Sequence, residues 1–176
     1  KTPMLRQLRE GIAEGRRPII ALAYTSSFVA RGNLAVVGTF FTLWASVYGV
    51  SELGLTSAEA IKKGGVVLAI SYTASLLSAP VFGIMADRMN RVSALAVSLL
   101  VGAVGYGSTF WLEDPFGVPA ILCLILIGMA EVGCIITSGV LIAEQAPDRL
   151  RGSVVGVFTL TGAIGILVAS VVGGYL

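Results

Sequence analysis

Two long runs without a charged side chain constrain this sequence more than any other feature. Gly64 to Ala86 and Val92 to Leu112 contain no Asp, Glu, Lys or Arg. A bilayer's hydrocarbon core is ~30 Å thick and takes ~20 helical residues to cross. Each run is long enough, so each is read as a membrane helix. The charged stretch between them, Gly83-Ile84-Met85-Ala86-Asp87-Arg88-Met89-Asn90-Arg91, is then a tight turn at the membrane surface.

The same reading extends over the rest of the chain. Charged residues are 12% of the 176 and hydrophobic ones 56%, against roughly 25% charged in soluble domains. The few charges are clustered, which leaves five apolar spans, at about residues 18–48, 64–86, 92–112, 118–144 and 153–176. Residues 1–17 form a basic segment with Leu5, Leu8 and Ile12 at helical spacing, suited to an amphipathic helix lying on the membrane surface. The expected fold is an all-α integral membrane protein with five transmembrane helices. Thr56-Ser57-Ala58-Glu59 reads as a capping box. Arg31, Gly32 and Asn33 interrupt the first span near its middle, and Pro80 should bend the second. The third span carries small residues, Gly102, Ala103, Gly105 and Gly107, and ends near Trp111 at the far interface. In the fifth, Gly152, Gly156, Gly165, Ala169 and Gly173 suggest a face of small residues for close helix packing.

The basic residues give an orientation. Lys1, Arg6, Arg9, Arg16 and Arg17 precede the first span, Arg88 and Arg91 follow the second, and Arg149 and Arg151 follow the fourth. All lie on one side of a chain that weaves back and forth; the other side receives only Lys62 and Lys63. The positive-inside rule places the N-terminus and the Asp87 turn in the cytoplasm, with a bacterial plasma membrane as the expected location. The chain has no His, so histidine-based catalysis and His-ligated metals are excluded; no cofactor, metal or nucleic-acid partner is expected. Cys123 and Cys134 are three turns apart on one helix, too distant for a disulfide. No signal peptide is evident, and the chain reads as a fragment.

Asp87 ends a helix, where the dipole favours cations, so it should face Arg88, Arg91 or the N-terminus of another helix. The turn resembles the signature loop between the second and third helices of each half of major facilitator superfamily transporters. Gly83, Asp87, Arg88 and Arg91 match that pattern. Asn90 stands where the family usually has Gly, which implies a positive φ there, and Val92 where a second basic residue is common. Pro147-x-x-x-Arg151-Gly152, after the fourth span, also resembles the family, as does the fifth span from Gly162 to Gly174. The resemblance covers the whole chain as five consecutive helices of one six-helix half, most like helices seven to eleven of the C-terminal half. It implies a 3+3 inverted repeat, a second half of the same transporter as partner, a small-molecule substrate and alternating access. Asp87, Arg88, Arg91, Glu144, Arg149 and Arg151 would then form a cytoplasmic switch.

Two charges sit where charge is expensive. Arg31 and Glu131 each lie ~20 Å from the cytoplasmic ends of their spans. A lipid-facing charge at that depth costs at least ~2.5–3.5 kcal/mol. They begin the two implied repeats and are expected to face one cavity and interact. Tyr24, Ser27 and Thr42 accompany Arg31, Cys134 and Ser138 accompany Glu131, and Asn33 lies beside them. Glu131 is the candidate proton site, since burial raises a carboxylate pKa and an adjacent Arg lowers it. The function expected is secondary active transport of a small solute, proton-coupled. The alternatives are a non-transporting sensor or assembly protein of the same fold, or an ion pair that only fixes helix register. Thr137-Ser138-Gly139 lacks a base, so an intramembrane serine enzyme ranks last.

Overall fold

The computed structural model describes residues 4–175; Lys1 of the basic segment and Leu176 of the last span lie outside the described residues. A short N-terminal helix, Met4–Glu14, precedes five helices long and apolar enough to cross a membrane: Pro18–Ser51, Ser57–Arg88, Arg91–Thr109, Val118–Gln145 and Asp148–Tyr175. They are called here the first to fifth spans.

The boundaries follow local chemistry. The second span starts at Ser57, ahead of residue 64, because the capping box forms. Thr56 Oγ1 accepts from the Glu59 amide at 3.3 Å, and Glu59 Oε2 accepts from the Thr56 amide at 2.9 Å. It then runs unbroken through Pro80 to Arg88. The third span stops at Thr109, ahead of residue 112, and leaves Trp111 exposed with its ring edge-on to Phe110.

The first span corrects the expected break. Its α-helix continues through Arg31, Gly32 and Asn33 to Val36, and the irregularity is a π-helical turn at Val37–Phe41, followed by a second α-helical stretch, Thr42–Ser51. A π turn holds an extra residue and rotates the following face. It lies where the helix changes neighbours. The stretch before it packs on the fourth and fifth spans, and the stretch after it packs on the second.

The fourth span is the centre of the bundle. Half of its apolar window is buried, against 17–28% for the other four. The second and third spans and the first half of the first pack around it, and the fifth packs on the first. The second thus lies on the fourth as the fifth lies on the first, which is the pairing an inverted repeat requires. The ends show the weave. At one end Arg17 Nη1 donates to the Gln145 carbonyl at 3.0 Å, and Arg91 pairs with Glu144. At the other, Phe116 meets the Tyr48 ring and the Lys63 ammonium, the latter 4.5 Å from its centroid.

Glycines allow several close approaches between the helices. Gly165 lies on the Phe28 carbonyl, where any Cβ would collide with backbone, and a methyl at Gly133 would stand 2.6 Å from both Phe82 and Ser98. Gly152 and Gly156 face open space, so the small-residue stripe of the fifth span is a packing face only in its later part. The N-terminal helix is fastened by Gly11, which lies against Ser153, and by the Tyr24 hydroxyl, which donates to the Gly11 carbonyl at 2.9 Å. Its Leu8 turns to the core while Leu5 and Ile12 remain exposed.

Candidate functional site

Midway along the fourth span, Glu131 is carried into the middle of the bundle by the helix with the deepest burial. Its hydrogen-bond partner is Asn33 of the first span: Asn33 Nδ2 donates to Glu131 Oε2 at 3.1 Å. The other end of the same amide is unmatched. Asn33 Oδ1 is buried and, among the described residues, meets no donor. An unsatisfied buried acceptor costs ~1–3 kcal/mol, so this amide is held in a position that packing alone does not favour.

The pair borders a cavity of about 240 Å³ between the first, third and fourth spans, lined by Ala30 and Asn33, Gly102 and Tyr106, and Glu131 and Cys134 together with apolar neighbours. Asn33 and Tyr106 also line a second cavity, of about 430 Å³, that reaches the fifth span at Gly165. Nothing in the sequence marks Tyr106 beyond a hydroxyl-bearing aromatic set between Gly105 and Gly107.

Arg31 has the depth expected for a partner of Glu131 but not the direction. Two residues before Asn33, it points roughly 160° away around the helix. Its stem lies along the fifth span beside Gly162, and among the described residues no ion pair joins it to Glu131. The other residues expected around the two charges are engaged with backbone. Ser27 Oγ donates to the Phe158 carbonyl at 2.9 Å, and Ser138 Oγ to the Cys134 carbonyl at 2.5 Å. Thr42 Oγ1 donates to the Gly38 carbonyl at 2.6 Å, closing the π turn, and Tyr24 secures the N-terminal helix. The structure therefore brings together Asn33, Glu131 and Cys134, turns Tyr24 and Ser27 to other contacts, and leaves Arg31 near enough to act on Glu131 electrostatically but not paired with it.

The charged end holds a second cluster. Arg91 donates from Nε and Nη2 to Glu144, at 3.0 and 2.5 Å, and from Nη1 to the carbonyls of Ala86 and Met89. It thereby clamps the end of the second span to the end of the fourth. Asn90 corrects the expected positive φ: its φ is −59° and it caps the third span, with Oδ1 accepting from the Val92 amide at 2.9 Å. Asp87 acts electrostatically on Arg91, one of its expected partners, but Arg91 is committed to Glu144, Arg88 is exposed, and Asp87 makes no ion pair among the described residues. Gly83, one turn earlier, faces open space. Arg151 pairs with Asp148 at 2.9 Å, and Arg149 is exposed.

The sequence has relatives among known proteins. It is 31% identical over 159 residues to "Magnetosome protein MamH" of Paramagnetospirillum magneticum, covering 90% of this chain and 37% of that protein. It is 31% identical to "Magnetosome protein MamZ" of Magnetospirillum gryphiswaldense, over 90% of this chain and 24% of that protein. It is 26% identical to "Multidrug resistance protein MdtG" of a Rahnella strain, over 88% of this chain and 36% of that protein. The chain thus spans well under half the length of these relatives, and none of their names denotes an enzyme. No solved structure matches it. The profile of the Major Facilitator Superfamily matches residues 5–176. With five membrane-length helices and a match over nearly its whole length, this chain is a multi-pass membrane protein that belongs to the Major Facilitator Superfamily.

Proposed function

We propose that the chain is one five-helix portion of a secondary transporter that moves a small solute by alternating access, driven by protons taken up and released at Glu131. The observation that carries this reading is the Glu131–Asn33 pair at mid-depth, beside a cavity with apolar walls. Intramembrane ionisable residues that border a cavity mark substrate and proton pathways. Two relatives' printed names, a multidrug resistance protein and a "Multi-drug resistance efflux pump PmrA", support an organic solute. The relatives' greater length supports a second helical unit as partner, with this chain equivalent to helices seven to eleven.

In this account Arg31, between the first and fifth spans, attracts anionic groups or steadies those helices against each other. At the charged end, which we place in the cytoplasm, Asp87 and Arg88 are the groups left for the partner unit, and Gly83 offers it a smooth approach. The Arg91–Glu144 clamp keeps this side of the switch rigid.

The test is transport by the intact protein in proteoliposomes. A panel of organic cations, anions and neutral solutes is offered under an imposed pH gradient. At least one solute should accumulate, and a protonophore should abolish that accumulation. Accumulation indifferent to the protonophore contradicts proton coupling; no movement of any solute favours a non-transporting sensor or assembly role.

A further inference from the structure

We propose that Asn33 is the positioning residue of the proton site, built to pair at both ends with neutral Glu131. The inference rests on the reading of Glu131 as the proton carrier and adds to it the group that recognises the proton's arrival. An amide offers one donor face and one acceptor face, and a protonated carboxyl offers the complement. Here half of that complement is already made: Asn33 Nδ2 donates to Glu131 Oε2. The other half, Asn33 Oδ1, is buried without a donor. The amide cannot be turned to relieve this, because its oxygen would then face the carboxylate, acceptor against acceptor.

Addition of one proton to Glu131 completes the arrangement. A hydronium ion entering the cavity gives up the proton: its O–H bond breaks, a new one forms to Oε1, the carboxyl becomes neutral and a water molecule is left. The new O–H donates to Asn33 Oδ1 while Nδ2 keeps its bond to Oε2, closing a ring of two hydrogen bonds. Both atoms are then satisfied and no charge is left among apolar walls. When the cavity is open to water, solvent supplies donors to the carboxylate and the proton can leave. The same pair thus favours the neutral acid when the cavity is dry and the ion when it is wet, as coupled transport requires.

The remaining titratable or charged groups that act on Glu131 are Arg31 on the first span, Tyr72 on the second, Tyr106 on the third and Cys134 on its own helix. None is a carboxyl, so infrared spectroscopy can isolate Glu131. Difference spectra of the intact transporter in lipid nanodiscs, between about pH 5 and 9, should contain a protonated-carboxyl C=O band that is missing in Glu131→Gln. In Asn33→Leu the band should move to higher wavenumber, because the carboxyl loses both hydrogen bonds. Asn33→Ser, which removes the planar two-point partner with less change in volume, should move it in the same direction and serves if the leucine variant does not fold. A band present in the wild type and unmoved in whichever variant folds overturns the role of Asn33 while leaving the proton site intact. No Glu131-dependent band at any pH overturns both.

Discussion

Asn33 on the first span and Glu131 on the fourth share one hydrogen bond of 3.1 Å, and the amide's other end lies buried with no donor. Two residues so placed should depend on each other. Glu131→Leu strands the whole Asn33 amide, and Asn33→Leu leaves the carboxylate with no hydrogen-bond partner. Either single replacement should lower the unfolding temperature of the detergent-solubilised transporter, while the double replacement, apolar on both sides, should lower it less than the sum. The coupling expected is ~1–3 kcal/mol. Additive effects in thermal unfolding would mean that the two side chains do not interact.

Glycine substitutions should separate packing from open surface along the fifth span. Gly165→Ala puts a methyl against the Phe28 backbone, and neither helix can yield without separating. A loss of ~1–3 kcal/mol is expected from such overpacking. Gly156→Ala meets nothing within this bundle and gains helix propensity. The unfolding temperature should fall for the first and hold or rise for the second.

At the charged end, Arg91 does more than pair with Glu144. Glu144→Gln removes the ion pair but leaves Arg91 on the carbonyls of Ala86 and Met89, whereas Arg91→Ala removes both. Arg91→Ala should therefore lower the unfolding temperature more than Glu144→Gln does. An equal loss in both would mean that the carbonyl contacts contribute nothing.

The orientation is open to direct labelling. In a cysteine-free background, a cysteine at position 63 should react with an impermeant thiol reagent in intact cells, and one at position 88 should react only after the membrane is opened. Labelling of position 88 from outside would reverse the orientation.

How far the sequence foretold the site depends on which coordinate is asked of it. Level along the bundle was legible, because a rise of about 1.5 Å per residue gives Glu131 and residues 31–33 matching distances from the same end, and the Asn33–Glu131 bond joins those levels. Direction around the helix was not. The charge makes Arg31 the expected partner and Asn33 only a neighbour on the same pathway, but Asn33, two residues on, holds the face towards the fourth span. The capping box at Thr56 was legible, since both of its bonds are local in sequence. For Asn90 a likeness to loops with Gly suggests a positive φ, while its side chain fits an N-cap equally well, and the N-cap is what forms. That Asp87 forms no ion pair could not be read locally: it depends on Glu144, distant in sequence, having taken Arg91, on which Asp87 still acts electrostatically.

The central claim, that protons drive transport through Glu131, is tested most directly by Glu131→Gln in proteoliposomes. The solute is whichever member of the panel the wild-type transporter accumulates. Uphill accumulation under an imposed pH gradient and exchange of labelled for unlabelled solute without a gradient are measured on the same preparation. Glutamine cannot carry the proton but keeps a similar shape and can still accept from Asn33. Accumulation should vanish while exchange persists. Accumulation at the wild-type level in Glu131→Gln would contradict the claim and leave the Asn33–Glu131 contact as a device that fixes helix register.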